Sequence, residues 1–256
     1  MKVIVLAAGE GTRLRPLTAD RPKCLVELHG RTLLDRQLDA LRRCGVADVV
    51  IVTGHRHEAF RGRPERLYHN PEYARTNMVH SLFCAEPELD GDVIVSYGDI
   101  VFEPRVAQAL MAAPGALSVV VDTGWRDLWA ARFSNPLTDA ETLKIDGDGN
   151  IVEIGKKPRS YDEIHAQYIG LFKIAAPAVA DVRRFYRGLD RSRRYDGKDV
   201  DNMYMTSLLD LIARDLLKVR AVPVAHGWLE VDSVDDLRLY SSWPPAGNAL
   251  FSFAAS

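Results

Sequence analysis

A chain of 256 residues with 47% hydrophobic and 27% charged residues can bury one substantial core, or one core with a subdomain, but not two full-sized domains. Its formal net charge of -2 gives no reason to expect a nucleic-acid partner or an anionic membrane surface, so any anion binding has to be local. Cys24, Cys44 and Cys84 are odd in number and lack CxxC spacing, which argues against a zinc site or disulfide framework and for a reducing compartment. With no run of about 18 apolar residues and no charged-then-apolar leader, the expected location is cytoplasmic.

Val3 to Leu6 reads as a short buried strand. In Thr32 to Cys44 the leucines at 33/34, 38 and 41 recur at helical spacing, and Gly45 can stop the helix. Asp48 to Gly54 (DVVIVTG) is a second buried strand, RLYHN at 66–70 a third, and Val79 to Ala85 a helix. Asp92 to Ile100 is the next apolar strand, ending at Gly98-Asp99. Strands this apolar, alternating with helices, imply an α/β layout with a largely parallel sheet covered on both faces. Ligands in such sheets bind beyond the carboxyl ends of the strands. The glycine loop after Leu6, Thr53-Gly54 and Gly98-Asp99 all fall at such ends.

Further strands are expected at SVVVDTG (118–124), at both arms of ETLKIDGDGNIVEIGKKP (141–158), at Ala166 to Ile174 and at KVRAVPVA (218–225). Helices are expected at Ala178 to Leu189, at Asn202 to Leu216 and after the Ser233 cap. The string DGDGN at 146–150 opens like a calcium loop, but Ile151 and Lys157 stand at the required glycine and closing glutamate positions. It is expected to be a hairpin turn. The tail PPAGNALFSFAAS is expected either to be disordered or to pack on a neighbour.

The stretch LAAGEGTRLRPLT, Leu6 to Thr18, follows the first strand and raises the question of which phosphate chemistry it serves. Leu14 stands where a dinucleotide fingerprint needs its third glycine, and no G-x-x-x-x-G-K-[ST] run exists. What remains is Gly9-x-Gly11-Thr12-Arg13, then Pro22-Lys23. The glycines let backbone N–H groups approach an anion. Arg13 adds a fork of donors and Lys23 a mobile point charge, a pair suited to holding a triphosphate and a second anion together.

L-A-A-G-x-G-[ST]-R-[LM]-x-P-L-T followed by P-K resembles the signature of the sugar-phosphate and small-alcohol-phosphate nucleotidyltransferases. The resemblance continues through GVADVVIVTGH, SYGDIVF and WLEVDSVDDL, along nearly the whole chain. Within that family NPEYARTNMVHSL and DNMYMTSLLDL resemble the phosphocholine and phosphonate cytidylyltransferases more than the sugar enzymes. The resemblance implies a Rossmann-like, doubly wound, mostly parallel mixed sheet with a small acceptor-binding β-hairpin and helical subdomain. Residues 1–115 would form the nucleotide-binding half, 116–225 the acceptor-binding part, 226–242 a returning segment with a metal ligand, and 243–256 a tail.

It also implies Mg²⁺-dependent transfer of CMP from CTP to a small phosphate or phosphonate acceptor. Such an acceptor is already an anion, so no Ser/His/Asp arrangement is needed, and none is present; catalysis reduces to orientation and charge neutralisation. By the same resemblance Asp99 and Asp232 share the Mg²⁺, with Glu230 as an additional ligand. Arg13 holds the triphosphate and Lys23 bridges the α-phosphate and the incoming anion. Leu6, Ala7, Ala8, Gly9, Gly11 and Thr12 line the nucleotide, and Asn77 and Ser81 face its base.

For the acceptor, Trp125, Trp129, Tyr168, Asp201 and Asn202 would suit a quaternary ammonium. Lys156 and its basic neighbours Arg126, Arg132, Lys157 and Arg159 would suit extra negative charge instead, and the residues leave both open. Two competitors are a sugar-1-phosphate uridylyl- or thymidylyltransferase and a non-catalytic nucleotide-binding regulator. The first lacks the glutamine- and glycine-rich segments expected after Tyr68. The second does not account for Arg13, Lys23, Asp99 and Asp232 standing together. The chain is compatible with a homodimer.

Overall fold

The computed structural model describes residues 1–254. Strands and helices alternate through the first half: Lys2–Ala7 (β1), Leu33–Arg43 (α1), Asp48–Thr53 (β2), Arg66–His69 (β3), Met78–Cys84 (α2) and Val93–Tyr97 (β4). Next come Ile100–Phe102 (β5), Pro104–Ala112 (α3), Leu117–Asp122 (β6), Trp125–Arg132 (α4), Leu143–Ile145 (β7) and Asn150–Ile154 (β8). Gln167–Ile174 (β9), Ala176–Arg187 (α5), Met205–Asp215 (α6), Val219–Val224 (β10), Trp228–Glu230 (β11) and Val234–Ser241 (α7) complete the order.

One sheet runs through the molecule in the order β3-β2-β1-β4-β9-β6-β10-β8-β7. Only β9 and β8 run against the other strands. Successive side chains of β1 leave on opposite faces. Val3, Val5 and Ala7 join a core with Leu34, Leu38 and Leu41 of α1. Ile4 and Leu6 join a second core with Val79 and Leu82 of α2 and Leu208 of α6. Helices therefore cover both faces, which is why the strands are apolar throughout.

Local signals explain the elements. Thr32 caps α1 by accepting the Asp35 N–H at 3.0 Å, and Gly45 at φ 80° turns the chain away after its last turn. The 146–150 turn is held by Asp146 Oδ1, which accepts the N–H groups of Asp148 and Asn150 at 2.9 and 2.8 Å. That hairpin continues the main sheet, since Asn150 and Ile151 of β8 pair with Arg220 and Val219. Elements absent from the sequence expectations appear, among them α3, α4, β5, β11 and a small hairpin of Glu27–Leu28 with Arg31–Thr32.

Through its described residues the tail packs on its own chain, residues 255–256 lying outside them. Phe251 and Phe253 are buried, Leu250 accepts the Gly227 N–H at 2.8 Å, and the Ser252 N–H donates to Glu103 at 2.9 Å. Among the described residues no helix is long and apolar enough to cross a membrane.

Candidate active site

The register of the sheet brings the ends of β1, β2 and β4 side by side, with Leu6 opposite both Val52 and Tyr97. Gly98 continues this contact, donating its N–H to the Leu6 carbonyl at 2.9 Å. A Cβ at Gly98 would lie 2.7 Å from that same oxygen, so only glycine lets β4 deliver Asp99 against the end of β1. Gly11 adopts φ 60° and its carbonyl accepts from Leu14 N and Thr18 Oγ1 at 2.9 and 2.8 Å, which folds the glycine loop back on itself.

Asp232 arrives from the far end of the chain. β11 pairs antiparallel with β5, Glu230 opposite Ile100, and Val231 N donates to the Asp99 carbonyl at 2.9 Å. This two-stranded clip joins the two acidic segments. Between them lies Lys23, whose Nζ donates to Asp99 Oδ2 at 2.7 Å and to Asp232 Oδ1 at 2.6 Å. Arg13 pairs with the other Asp232 oxygen from a mostly exposed position. Burial works to lower the Lys23 pKa, but the charges of Asp99, Asp232 and Glu230 outweigh it and hold the ammonium above the ordinary lysine value. Burial also raises Glu230, and Asp99 and Asp232 add to this against the pull of Arg132 and Lys23.

Two cavities meet at this cluster. The first is lined by Leu6, Ala7, Ala8, Gly9, Lys23, Asn77, Ser81 and Asp99, all expected, and by Cys24, Tyr73, Thr76, Met78, Tyr97 and Gly98. Burial pushes the Cys24 thiol up to about 12, so it stands there as a neutral wall. Asn77 also caps α2, accepting the Met78 N–H at 2.8 Å, and Ser81 accepts from the buried Asn70 at 3.0 Å. Gly11 and Thr12 shape the loop and do not line this cavity.

The second cavity is lined by the expected Arg13, Trp129, Tyr168, Glu230 and Asp232. Tyr97 and Met78 are shared with the first, and Asp139, Glu141, Gln167, Tyr204 and Trp228 were not foreseen. Tyr97 and Tyr168 meet edge to face at 5.6 Å, and Trp129 Nε1 donates to Asp139 Oδ2 at 3.1 Å. Glu141 reaches water but is crowded by protein; burial, then Asp139 and Asp196, push its pKa up to about 6 against Lys156 and Lys157. Its carboxylate has no hydrogen-bond or ion-pair partner among the described residues.

The remaining acceptor candidates lie elsewhere. Trp125 is 1% exposed, one turn behind Trp129 on α4, and packs on Tyr161 and Trp129 in the core. Lys156 pairs with Asp196 and Asp210 at 2.7 and 3.2 Å beside a separate depression. Asp201 is engaged by Arg191 at 3.0 Å and Asn202 by Asp199; their carbonyls face Asn77 instead of the second cavity. The acidic pair at 139 and 141 and the aromatic at 204 give no local motif, and only the fold brings them to β9.

The cluster suits a hard cation. Asp99 Oδ1 is buried without a partner, and the donors are all oxygen. Among the described residues no three acidic, histidine or cysteine side chains converge as a metal cage. Glu230 is turned toward Arg132, 3.0 Å away, which leaves Asp99 and Asp232 as the two carboxylates that could hold a metal shared with phosphates.

Comparison with known proteins agrees with this geometry. Residues 3–164 match the model of the MobA-like NTP transferase domain. The chain is 42% identical over 250 residues to the CTP:phosphoglutamine cytidylyltransferase of Campylobacter jejuni, covering 93% of this chain and 98% of that protein. In fold it is similar to the CTP:phosphocholine cytidylyltransferase of Streptococcus pneumoniae, with TM-score 0.67, 23% identity and coverage of 93% and 96%. It is likewise similar to the inositol-1-phosphate CTP transferase of T. maritima, with TM-score 0.71, 22% identity and coverage of 94% of each chain. A glycine loop ending in Arg13 and Lys23, two carboxylates clipped across it and the matched domain lead to one assignment: the chain belongs to the MobA-like NTP transferase family.

Proposed function

We propose that this protein transfers CMP from CTP to a small phosphorylated or phosphonate acceptor that carries an ammonium group, releasing pyrophosphate. The observation that carries the proposal is the position of Lys23, which lines the first cavity while its Nζ touches Asp232 in the lining of the second. A nucleotide in the first cavity and an acceptor in the second would meet at that ammonium. An acceptor oxygen forms the new bond to the α-phosphorus, the bond to the β-phosphate oxygen breaks, and pyrophosphate leaves with that electron pair. Lys23 and Arg13 bring the two polyanions together and offset charge building at phosphorus. Asp99 and Asp232 would hold a Mg²⁺ ion, which would supply further neutralisation of the triphosphate.

Support for the nucleotide comes from Gly9: a Cβ there would meet no protein atom within 4 Å, so protein packing does not demand glycine. A base or ribose lying on the backbone does. Support for CTP comes from relatives named as cytidylyltransferases, one of them as a CTP:phosphoglutamine cytidylyltransferase. Support for an ammonium comes from the second cavity, where Asp139 and Glu141 stand beside Trp129, Tyr97 and Tyr168. The basic residues that would favour a more anionic acceptor, Lys156, Lys157, Arg126 and Arg159, do not line it.

A pyrophosphate-release assay crossing the four nucleoside triphosphates with phosphocholine, 2-aminoethylphosphonate, phosphoglutamine, an uncharged alkyl phosphate and hexose 1-phosphates tests this. The expected result is turnover with CTP and the ammonium-bearing acceptors. Equal rates with UTP, or turnover confined to hexose phosphates, would overturn it.

A further inference from the structure

We infer that Arg132 is a positioning residue for the reaction centre, fixing the segment that presents Asp232 to Asp99 and Lys23. Its side chain is 1% exposed, at the last turn of α4. Nε donates to Asp236 Oδ1 at 2.8 Å and Nη2 to Asp236 Oδ2 at 3.2 Å, while Nη1 lies 3.0 Å from Glu230 Oε2. Asp236 Oδ2 in turn accepts the backbone N–H groups of Asp232 and Ser233 at 3.0 and 2.9 Å and the Ser233 hydroxyl at 3.0 Å. One guanidinium thus grips both sides of the turn that carries Asp232, and the turn's own amides close the circuit.

The chemistry requires arginine here. A planar fork matches one carboxylate at two points, Asp236, while its third nitrogen stands beside Glu230 as an ion pair without hydrogen-bond geometry. Lysine offers a point charge and would hold Asp236 or Glu230, not the geometry of both. The arrangement also draws Glu230 back from Lys23, leaving Asp99 and Asp232 to face each other across it. Partners one shell behind a metal-binding carboxylate set its orientation. The inference rests on the proposal that Asp99 and Asp232 hold Mg²⁺.

The test is Arg132→Lys in the full chain, measured in two ways. Initial rates are titrated with Mg²⁺ at saturating CTP and acceptor, and Mn²⁺ binding in the presence of CTP is followed by electron paramagnetic resonance. The expected result is a rise of about 10- to 100-fold in the half-saturating metal concentration in both titrations. KM for CTP at saturating metal should stay within about twofold and the circular dichroism spectrum should be unchanged. Should Arg132→Lys fail to fold, Asp236→Asn, which keeps an acceptor for the Asp232 amide but breaks the fork, should shift the metal constants the same way. Wild-type metal constants in a folded variant, or a lowered Tm without a metal shift, overturn the positioning role. A wild-type enzyme that binds no Mn²⁺ and turns over without Mg²⁺ overturns the metal proposal itself, and this inference with it.

Discussion

Gly9, Lys23 and Glu141 separate what a side chain does for the fold from what it does for the reaction. Open space around Gly9 means that Gly9→Ala should fold as well as the parent or slightly better, since alanine narrows the unfolded ensemble. KM for the nucleotide should nevertheless rise at least about tenfold if the ligand lies on that backbone, a loss of about 1.4 kcal/mol. Thermal unfolding and initial rates together check it. Lys23→Ala removes the cation between two carboxylates, and kcat should fall by at least about a hundredfold. Glu141 brings a pH signature. Its folded pKa of about 6 lies above the ordinary glutamate value of 4.5, so the folded state holds the extra proton between these values. Stability from this group is therefore present below about 4.5 and declines as pH rises through about 6. Binding of an ammonium runs the other way: KM for the acceptor should fall as pH rises through about 6, and Glu141→Gln should flatten that profile.

At the scale of elements, legibility followed the strength of local signals. β1 and α1 were readable because an unbroken apolar run and a capped leucine repeat each point to one structure. α4 was not. It is eight residues long, begins without a side-chain cap hydrogen bond, and buries only Trp125, Leu128 and Trp129. Its tryptophans therefore read as walls of a pocket, and Arg132 as one more cation for the acceptor, although α4 carries only Trp129 into the second cavity. β11 is three residues long and exists through its pairing with β5, a partner more than a hundred positions away. The tail belongs here too. Phe251 is 1% exposed in the core that also holds Phe102 and Trp228, so Phe251→Ala should cost about 3–5 kcal/mol of stability. Denaturant unfolding measures that directly, and a loss under about 1 kcal/mol would mean the tail merely rests on the surface.

Across the whole molecule the two halves of the site differed in how much the chain alone disclosed. The loop from Leu6 to Lys23 is contiguous, so its residue order carries its chemistry, and the structure gathers Arg13, Lys23, Asp99 and Asp232 at one point. The second cavity draws Trp129 from α4, two acidic residues from the segment before β7 and short runs from β9 and the start of α6, and no short pattern records that assembly. Both sides nevertheless rest on adjacent strands, for β9, which carries Tyr168, pairs directly with β4, which carries Tyr97. The sheet has no break at which one half could swing against the other. A rigid-body closure of the two halves is therefore not expected, and small-angle scattering profiles with and without CTP and acceptor should superimpose. Water then has to be displaced by the substrates themselves and by local movement of side chains such as the mostly exposed Arg13, not by one half of the sheet closing on the other.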